Sequence, residues 1–402
     1  MRKIKNQKHS KETLFFATSK VFERASYYGL RAILLLYMIG ETLKIEDSKA
    51  LIIFGWLLVS LLFSQIIGGI FGDLIIGNKK SIIIGGIIQA IGAFILCVPS
   101  INGLYFGLFL VVLGNGFFTP NFTSNFGKLY LNKTKLLDSG FTILYFAINL
   151  GSFFGVLLIG YIGNKYGYNF GFIFSGVLML LSIIPIIFSK EKNIAKKSNN
   201  ELLLSNRILN ILVAFIVVGV FWQIYEISNT RVFNLQLQFS EISSLGVPEF
   251  LWQSINVIFI LPISLFVIVF WSFFYKNQFF KLMLGFIFGA LSLGVLFLIP
   301  DELKEQHSII FMISLFFLTM AEIHISPTLH SVLTKYTNPK YLAILISLAF
   351  LPGRLISLIF GLFNDEFYDN PMLGVKFGII IFTVIGLGLL GYNQLNKKTN
   401  HI

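Results

Sequence analysis

A chain of 402 residues in which 55% of the side chains are hydrophobic and only 12% charged does not make an ordinary soluble surface, which carries about 25% charged residues. A mean hydropathy of +0.80, with 45 Phe and 35 Gly, belongs to an all-α polytopic membrane protein, with bulky rings toward lipid and small residues where helices touch. The single cysteine, Cys97, excludes a disulfide or a thiolate metal centre within one chain, so the net charge of +12 is the remaining compositional clue.

A crossing takes about 20 apolar residues, so the length admits about twelve. In chain order the apolar runs are 14–39, 51–72, 81–99, 103–119, 138–162, 169–189, 208–233, 251–274, 279–299, 308–332, 341–363 and 373–392. The first is too long and too charged for a cleavable leader and reads as a spanning helix. Two polar stretches are longer than the rest, 190–206 and 234–249. The former, rich in Lys and Asn, predicts a linker at 190–206 between a six-helix bundle at 1–189 and a second at 207–402. With the N-terminus in the cytoplasm, the inside segments hold twenty-one Lys and Arg, from Arg2 to Lys398 and including Lys276 and Lys281, against Lys44, Lys49, Lys165 and Lys304 outside. That asymmetry places both termini in the cytoplasm of a multi-pass protein of the cell inner (plasma) membrane. The basic excess is then topology in a lipid bilayer, not nucleic-acid binding. Two sixes joined by a basic linker resemble the major facilitator superfamily, whose halves rock about a midplane site.

An ionisable side chain at the bilayer centre costs about 2.5–3.5 kcal/mol on insertion scales, so each is a candidate functional group. The first helix holds Lys20, Glu23, Arg24 and Arg31. At about 100° per residue, Lys20, Arg24, Tyr27 and Arg31 form one stripe flanked by Glu23 and Tyr28. Such a stripe faces a wet translocation cavity or a network of ion pairs. Further polar groups are Asn115 and Asn121, Asn149 and Ser152, Gln223, Glu226 and Asn229, Gln253 and Asn256, Glu322, His324, Ser326 and His330, and Arg354. Carboxylates of the second half thus answer cations of the first, and Glu226 and Glu322 are candidates to carry a proton or pair with a charged solute. His324 does not share a helix face with Glu322.

Between the second and third runs, Gly69, Asp73, Gly77, Lys79 and Lys80 form a gating motif. The glycines permit close approach, and Asp73 can accept hydrogen bonds from a neighbouring helix N-terminus as a latch. Pro262, Pro327 and Pro352 fall within apolar runs and predict bends.

Helix 1, Lys20-Val-Phe-Glu23-Arg24-Ala-Ser-Tyr27-Tyr28-Gly29-Leu-Arg31, resembles the E-x-x-E-R-F-x-Y-Y-G-x-R signature of the proton-coupled oligopeptide transporters. Gly68-Gly69-Ile-Phe-Gly-Asp73 with Gly77, and Tyr145-Phe-Ala-Ile-Asn149-Leu-Gly151-Ser152, are similar to two further blocks of that family. Phe221-Trp222 with Glu226, Gln253 with Asn256, and Glu322 with Ser326-Pro327 look like its second-half patterns. The resemblance implies that Arg24 receives the carboxylate of a small peptide. It places the amino end at Glu322, Asn149 and Asn256, lines the pocket with Tyr27 and Tyr28, and pairs Arg31 with Glu226 across the halves. A zwitterion needs such opposed charged walls.

Three positions depart from the pattern: Lys20 stands for the first Glu of the signature, Thr119 for the Lys before Pro120-Asn121, and Ala349 falls near an expected Trp. Lys20, Arg24 and Arg31 then balance Glu23, Glu226 and Glu322. The expectation is that Lys20 takes over the cationic role lost at Thr119, with proton coupling weakened or rerouted through Glu226 or Glu322. Arg354 either joins the site or snorkels outward.

The resulting expectation is a monomeric secondary transporter importing di- and tripeptides, with protons, by alternating access. The alternative is a uniporter or exporter of another small organic ion with weak or no coupling; a transport-dead sensor would need a long soluble tail. No phosphate loop, metal cluster or nucleophile triad is seen in the sequence, so neither an enzyme nor a bound cofactor is expected.

Overall fold

The computed structural model describes residues 2–3, 7–190, 203–242, 255–300, 302–361 and 364–399. Its helices, in chain order, are α1 (Lys11–Ile39), α2 (Asp47–Phe71), α3 (Asn78–Ile95), α4 (Ile101–Lys128), α5 (Leu137–Tyr166), α6 (Tyr168–Phe188), α7 (Leu204–Ile242), α8 (Ile255–Phe273), α9 (Gln278–Phe297), α10 (His307–Tyr336), α11 (Leu342–Ser347), α12 (Leu351–Gly361), α13 (Asn364–Asp369) and α14 (Pro371–Thr399). Among the described residues, ten helical stretches are long and apolar enough to cross a membrane. The expected first and third spans, α1 and α3, fall outside that set. Glu23, Arg24 and Arg31 interrupt the apolar part of α1, and Asn78, Lys79 and Lys80 dilute α3. Large apolar side chains such as Trp56, Phe63, Phe266 and Leu387 stand exposed along the helices, a surface suited to lipid.

Local chemistry starts and stops these elements. The Ser100 side chain accepts from Gly103 N at the head of α4, and Asn277 accepts from Phe280 N at the head of α9, each satisfying a donor the first turn leaves open. Gly77, at φ +88°, turns the chain from a π-helical turn at Gly72–Ile76 into α3, a conformation that favours glycine.

Two expected boundaries move. The seventh helix continues to Ile242, through part of the stretch 234–249 read as a loop, because Leu235 and Phe239 are fully buried. The eleventh run is not one helix with an internal Pro352. It breaks at residues 348–350, and Pro352 is the second residue of α12, a position where its missing N–H leaves no helical bond unmade and its ring disfavours helix in the residue before. Residues 191–202 of the linker and Gln253, expected in the eighth run, lie outside the described residues.

The chain divides into two compact units. One, called here the first unit, comprises Asn6–Leu203 with Leu333–Ala349; the second comprises Met1–Lys5, Leu204–Val332 and Phe350–Ile402. In the first, α1 packs on α5 and α6, α3 on α4 and α6, and α2 on α4, while α11 lies against α2 and α4. The α1–α5 seam is a backbone contact. A β-carbon at Gly151 or Gly155 would overlap Val21 or Ala25, so that Val21 and Ala25 face α5 and the charged stripe beside them does not. In the second unit, α14 packs on α9 and α7, α12 packs on α7, and Arg2–Lys3 pair antiparallel with Phe274–Tyr275.

Candidate functional site

On α1 the buried carboxylate of Glu23, 0% exposed, accepts from three donors. Arg24 Nε lies 2.7 Å from Oε2, Arg24 Nη2 2.8 Å from Oε1, and Lys20 Nζ 2.9 Å from Oε2. The i, i+3 spacing sets Lys20 and Glu23 on neighbouring turns of one face. A buried carboxylate without such partners would carry a desolvation penalty of several kcal/mol. Lys20 is itself 2% exposed, and its ammonium sits over the α4 rings of Phe118 and Phe122, 5.7 and 5.0 Å from their centroids. Only Arg24 keeps contact with the outside, its side chain 12% exposed. The stripe read from the sequence therefore divides. Lys20 and Glu23 are sealed against α4, while Arg24, Tyr28 and Arg31 remain half-buried.

Arg24 Nη2 also donates to Thr119 Oγ1 at 3.3 Å. Thr119 in turn donates to Asn115 Oδ1 at 3.3 Å, which also accepts from Gln65 Nε2 at 3.3 Å. A polar string thus ties α1 to α4 and α2. On its other side Arg24 stands 5.2 Å from the Tyr27 ring centroid and 5.8 Å from that of Tyr28. Arg31 is 5.6 and 5.7 Å from the same two rings and 5.4 Å from Phe54. Two guanidinium groups straddle one T-shaped tyrosine pair, an arrangement that ring quadrupoles favour. Within the first unit no described carboxylate pairs with Arg31, and its Nε is buried without an acceptor. Asn149 and Ser152 on α5 donate back to their own helix, at Tyr145 O and Ile148 O, and no hydrogen bond joins them to Arg24 among the described residues.

In the second unit Glu322 of α10 is 6% exposed and within hydrogen-bonding reach of the Tyr225 hydroxyl on α7. Tyr225 is a partner that the sequence reading missed, since its spacing on α7 says nothing of α10. Glu226, next in sequence, points the other way and is exposed, as are Asn229 and Arg354. Asn256 of α8 is half-buried, with Oδ1 enclosed and unbonded. Gln223 accepts from Ser357 of α12. His324 turns away from Glu322. Its Nδ1 lies 2.7 Å from Met320 O, and its ring meets Trp271 and Phe288 edge-on or tilted. Lys281, counted from the sequence among loop cations, is 2% exposed, its ammonium 4.3 Å from the Trp271 ring centroid. Burial in the first turn of α9 was not legible from its position beside a basic loop.

The gating motif closes within the first unit. Asp73 Oδ2 accepts from Ile344 N in the first turn of α11 at 3.0 Å, and Oδ1 accepts from Asn78 Nδ2 at 3.1 Å, with Lys128 Nζ 3.7 Å away. Lys128 Nζ is also 2.5 Å from Asn78 Oδ1. Gly69 lies against Ala343 O. Lys79 serves elsewhere, donating to Ile187 O and Ser189 O at the end of α6, where cations offset open carbonyls.

Near that end of the unit, just before α1, both ring nitrogens of His9 are engaged, Nδ1 with the Tyr130 hydroxyl at 2.9 Å and Nε2 with Ser139 Oγ at 3.3 Å. Burial, and then the Lys133 ammonium, hold the His9 pKa below its usual value. Burial also pushes the Tyr130 hydroxyl up, against the effect of its hydrogen bond with Thr13.

Comparison with known proteins bears on this arrangement. Residues 79–205 match the POT family. The chain is similar to an uncharacterized transporter, YclF, of Bacillus subtilis, with 36% identity over 193 residues that cover 47% of this chain and 39% of the relative. It is similar to dipeptide and tripeptide permease B of Photorhabdus luminescens, with 31% identity over 56% of this chain and 46% of the permease. For a di-/tripeptide transporter of Lactococcus lactis subsp. lactis the figures are 29%, 59% and 50%. The chain thus spans about half the length, or less, of the curated relatives it matches. In fold it is similar to a peptide transporter POT solved with sulfate, at a TM-score of 0.61 with 22% identity, covering 97% of both chains. A POT family transporter solved with a thioalcohol-conjugated peptide superposes at 0.62, with 20% identity over 94% of this chain and 96% of that one.

Proposed function

We propose that this chain, a member of the POT family by its sequence matches, is a secondary transporter that imports di- and tripeptides by proton symport through alternating access. One observation carries the reading. The half-buried guanidinium of Arg24 lies in a cluster with two cations to one carboxylate, while the second unit holds a buried carboxylate, Glu322. Those are the complements of the two ends of a zwitterionic peptide. Arg24 takes the carboxylate end, and Glu322 with Asn149 and Asn256 takes the amino end. Tyr27 and Tyr28 supply apolar lining that tolerates varied side chains.

The coupled proton is assigned to Glu322 or Glu226, because Glu23 is already held between Lys20 and Arg24. An Arg31–Glu226 ion pair across the halves belongs to the same proposal, as does the division into bundles at 1–189 and 207–402 with a linker at 190–206. With both termini in the cytoplasm, the Asp73–Ile344 bond becomes a cytoplasmic latch that opens as the halves rock. A plasma-membrane monomer with no catalytic activity completes the reading.

The test is uptake of a labelled dipeptide into liposomes with and without an inward proton gradient. Accumulation that requires the gradient and is competed by tripeptides is expected; uptake no greater than in protein-free liposomes would overturn the reading. A second reading is favoured by Lys20 and Thr119, which depart from the family signature. It keeps the fold but makes the protein a uniporter or exporter of another small organic ion. Saturable uptake indifferent to the gradient would select it.

A further inference from the structure

We propose that Lys20 is a positioning residue for anion recognition: it fixes the Glu23 carboxylate so that Arg24 presents its Nη1 edge, and it leaves the cluster with one positive charge in excess. The inference rests on the reading that an anionic end of the solute meets Arg24.

The geometry excludes direct contact between Lys20 and a solute. Its side chain is 3% exposed, and its ammonium is enclosed by Glu23 and the rings of Phe118 and Phe122. Its effect must therefore pass through Glu23. Both oxygens of that carboxylate hold Arg24, one through Nε and one through Nη2, and Nη2 also donates to Thr119. Nη1 is the guanidinium nitrogen with no hydrogen-bond partner among the described residues, on the one side chain of the three that retains exposure.

Charge makes the same point. Glu23 and Arg24 alone form a closed, neutral, bidentate pair, which has little left to attract an anion. Adding Lys20 leaves the carboxylate shared between two cations and restores a net positive field at the edge of Arg24. The cation expected on α4 at Thr119 is instead supplied from α1, three residues before the carboxylate it serves. Because Nε and Nη2 are already committed, Arg24 takes its anion through Nη1 alone. The contribution of Lys20 is then specific to the charged terminus and indifferent to the rest of the solute.

The experiment uses the purified full-length protein, with Lys20→Met and Lys20→Arg beside wild type. Binding is followed by thermal shift for three probes: a neutral dipeptide, the same dipeptide amidated at its C-terminus, and inorganic sulfate. Lys20→Met is expected to weaken the free-acid dipeptide and sulfate by about tenfold or more, the scale of losing one charge-assisted contact. The amide should change by no more than about twofold to threefold, and Lys20→Arg should restore wild-type binding. Should Lys20→Met not fold, Lys20→Gln makes the same comparison and is expected to show the same split between acid and amide. Equal weakening of acid and amide in Lys20→Met, or wild-type affinity of Lys20→Met for the acid and sulfate, overturns the proposal. If wild type binds sulfate but no dipeptide, the peptide reading fails while the sulfate comparison still decides the role of Lys20. If it binds neither, Arg24 presents no anion site and the proposal falls.

Discussion

Each unit buries a carboxylate in a long helix, and the two are treated differently. Glu23 is gripped by full charges one and three residues away on its own helix. Glu322 receives the neutral hydroxyl of Tyr225 from a different helix. A carboxylate fixed between two cations serves as a structural anchor, whereas one met by a phenol can exchange that partner for a solute ammonium or a proton. The difference teaches that two buried carboxylates need not share a job, and that the partner decides which one is held fast.

The largest expected effect breaks the comparison at its cationic side. Arg24→Ala should reduce dipeptide affinity by about a hundredfold or more, because truncating one member of a buried charged pair costs about 2–5 kcal/mol and here also strands Glu23; equilibrium binding checks it. Glu322→Gln tests the other side, and is expected to abolish gradient-driven accumulation while leaving peptide exchange across the liposome membrane measurable. Tyr225→Phe should sharpen the contrast, lowering uptake by about tenfold through loss of one buried hydrogen bond of about 1–2 kcal/mol, without the collapse expected for Glu322→Gln. Asp73→Ala, at the gating motif, should lower the thermal midpoint by a few degrees, consistent with about 1–3 kcal/mol for unsatisfied partners at Ile344 N and Asn78.

The smallest effect concerns His9, outside the membrane helices. Its pKa is lowered in the folded protein, so the unfolded chain takes up a proton that the native one resists. Its contribution to stability is therefore complete above the unfolded value of about 6.5 and declines as the pH falls below it. Thermal midpoints measured between about pH 7.5 and 5.5 should fall less in His9→Gln than in wild type.

Much of the fold was legible because membrane helices announce themselves by composition. Asp73 was marked by its neighbouring glycines, whereas the α1–α5 seam at Gly151 and Gly155 came from the structure, Gly151 having been noted only as part of a signature block. What stayed hidden depended on rotation about helix axes and on distant chain segments. Periodicity grouped Lys20 with Arg24 and Arg31, yet could not foresee that Phe118 and Phe122 would cover it. Nor could it foresee that Glu226 and Tyr225, adjacent in sequence, would part, the first exposed and the second reaching Glu322. The break before Pro352 was signalled by the proline itself, but an uninterrupted apolar run argued for continuity, and composition outweighed backbone chemistry in that reading.

Residues 333–349 come late in the chain but pack with its early part, through α11 against α2 and α4 and through Ile344 N on Asp73. Two separately expressed fragments, ending and beginning near residue 203, would therefore carry a built-in handle for recognising each other. Co-purification of such fragments should depend on that stretch, and a fragment pair with Asp73 replaced should come apart more readily in detergent than the parent pair.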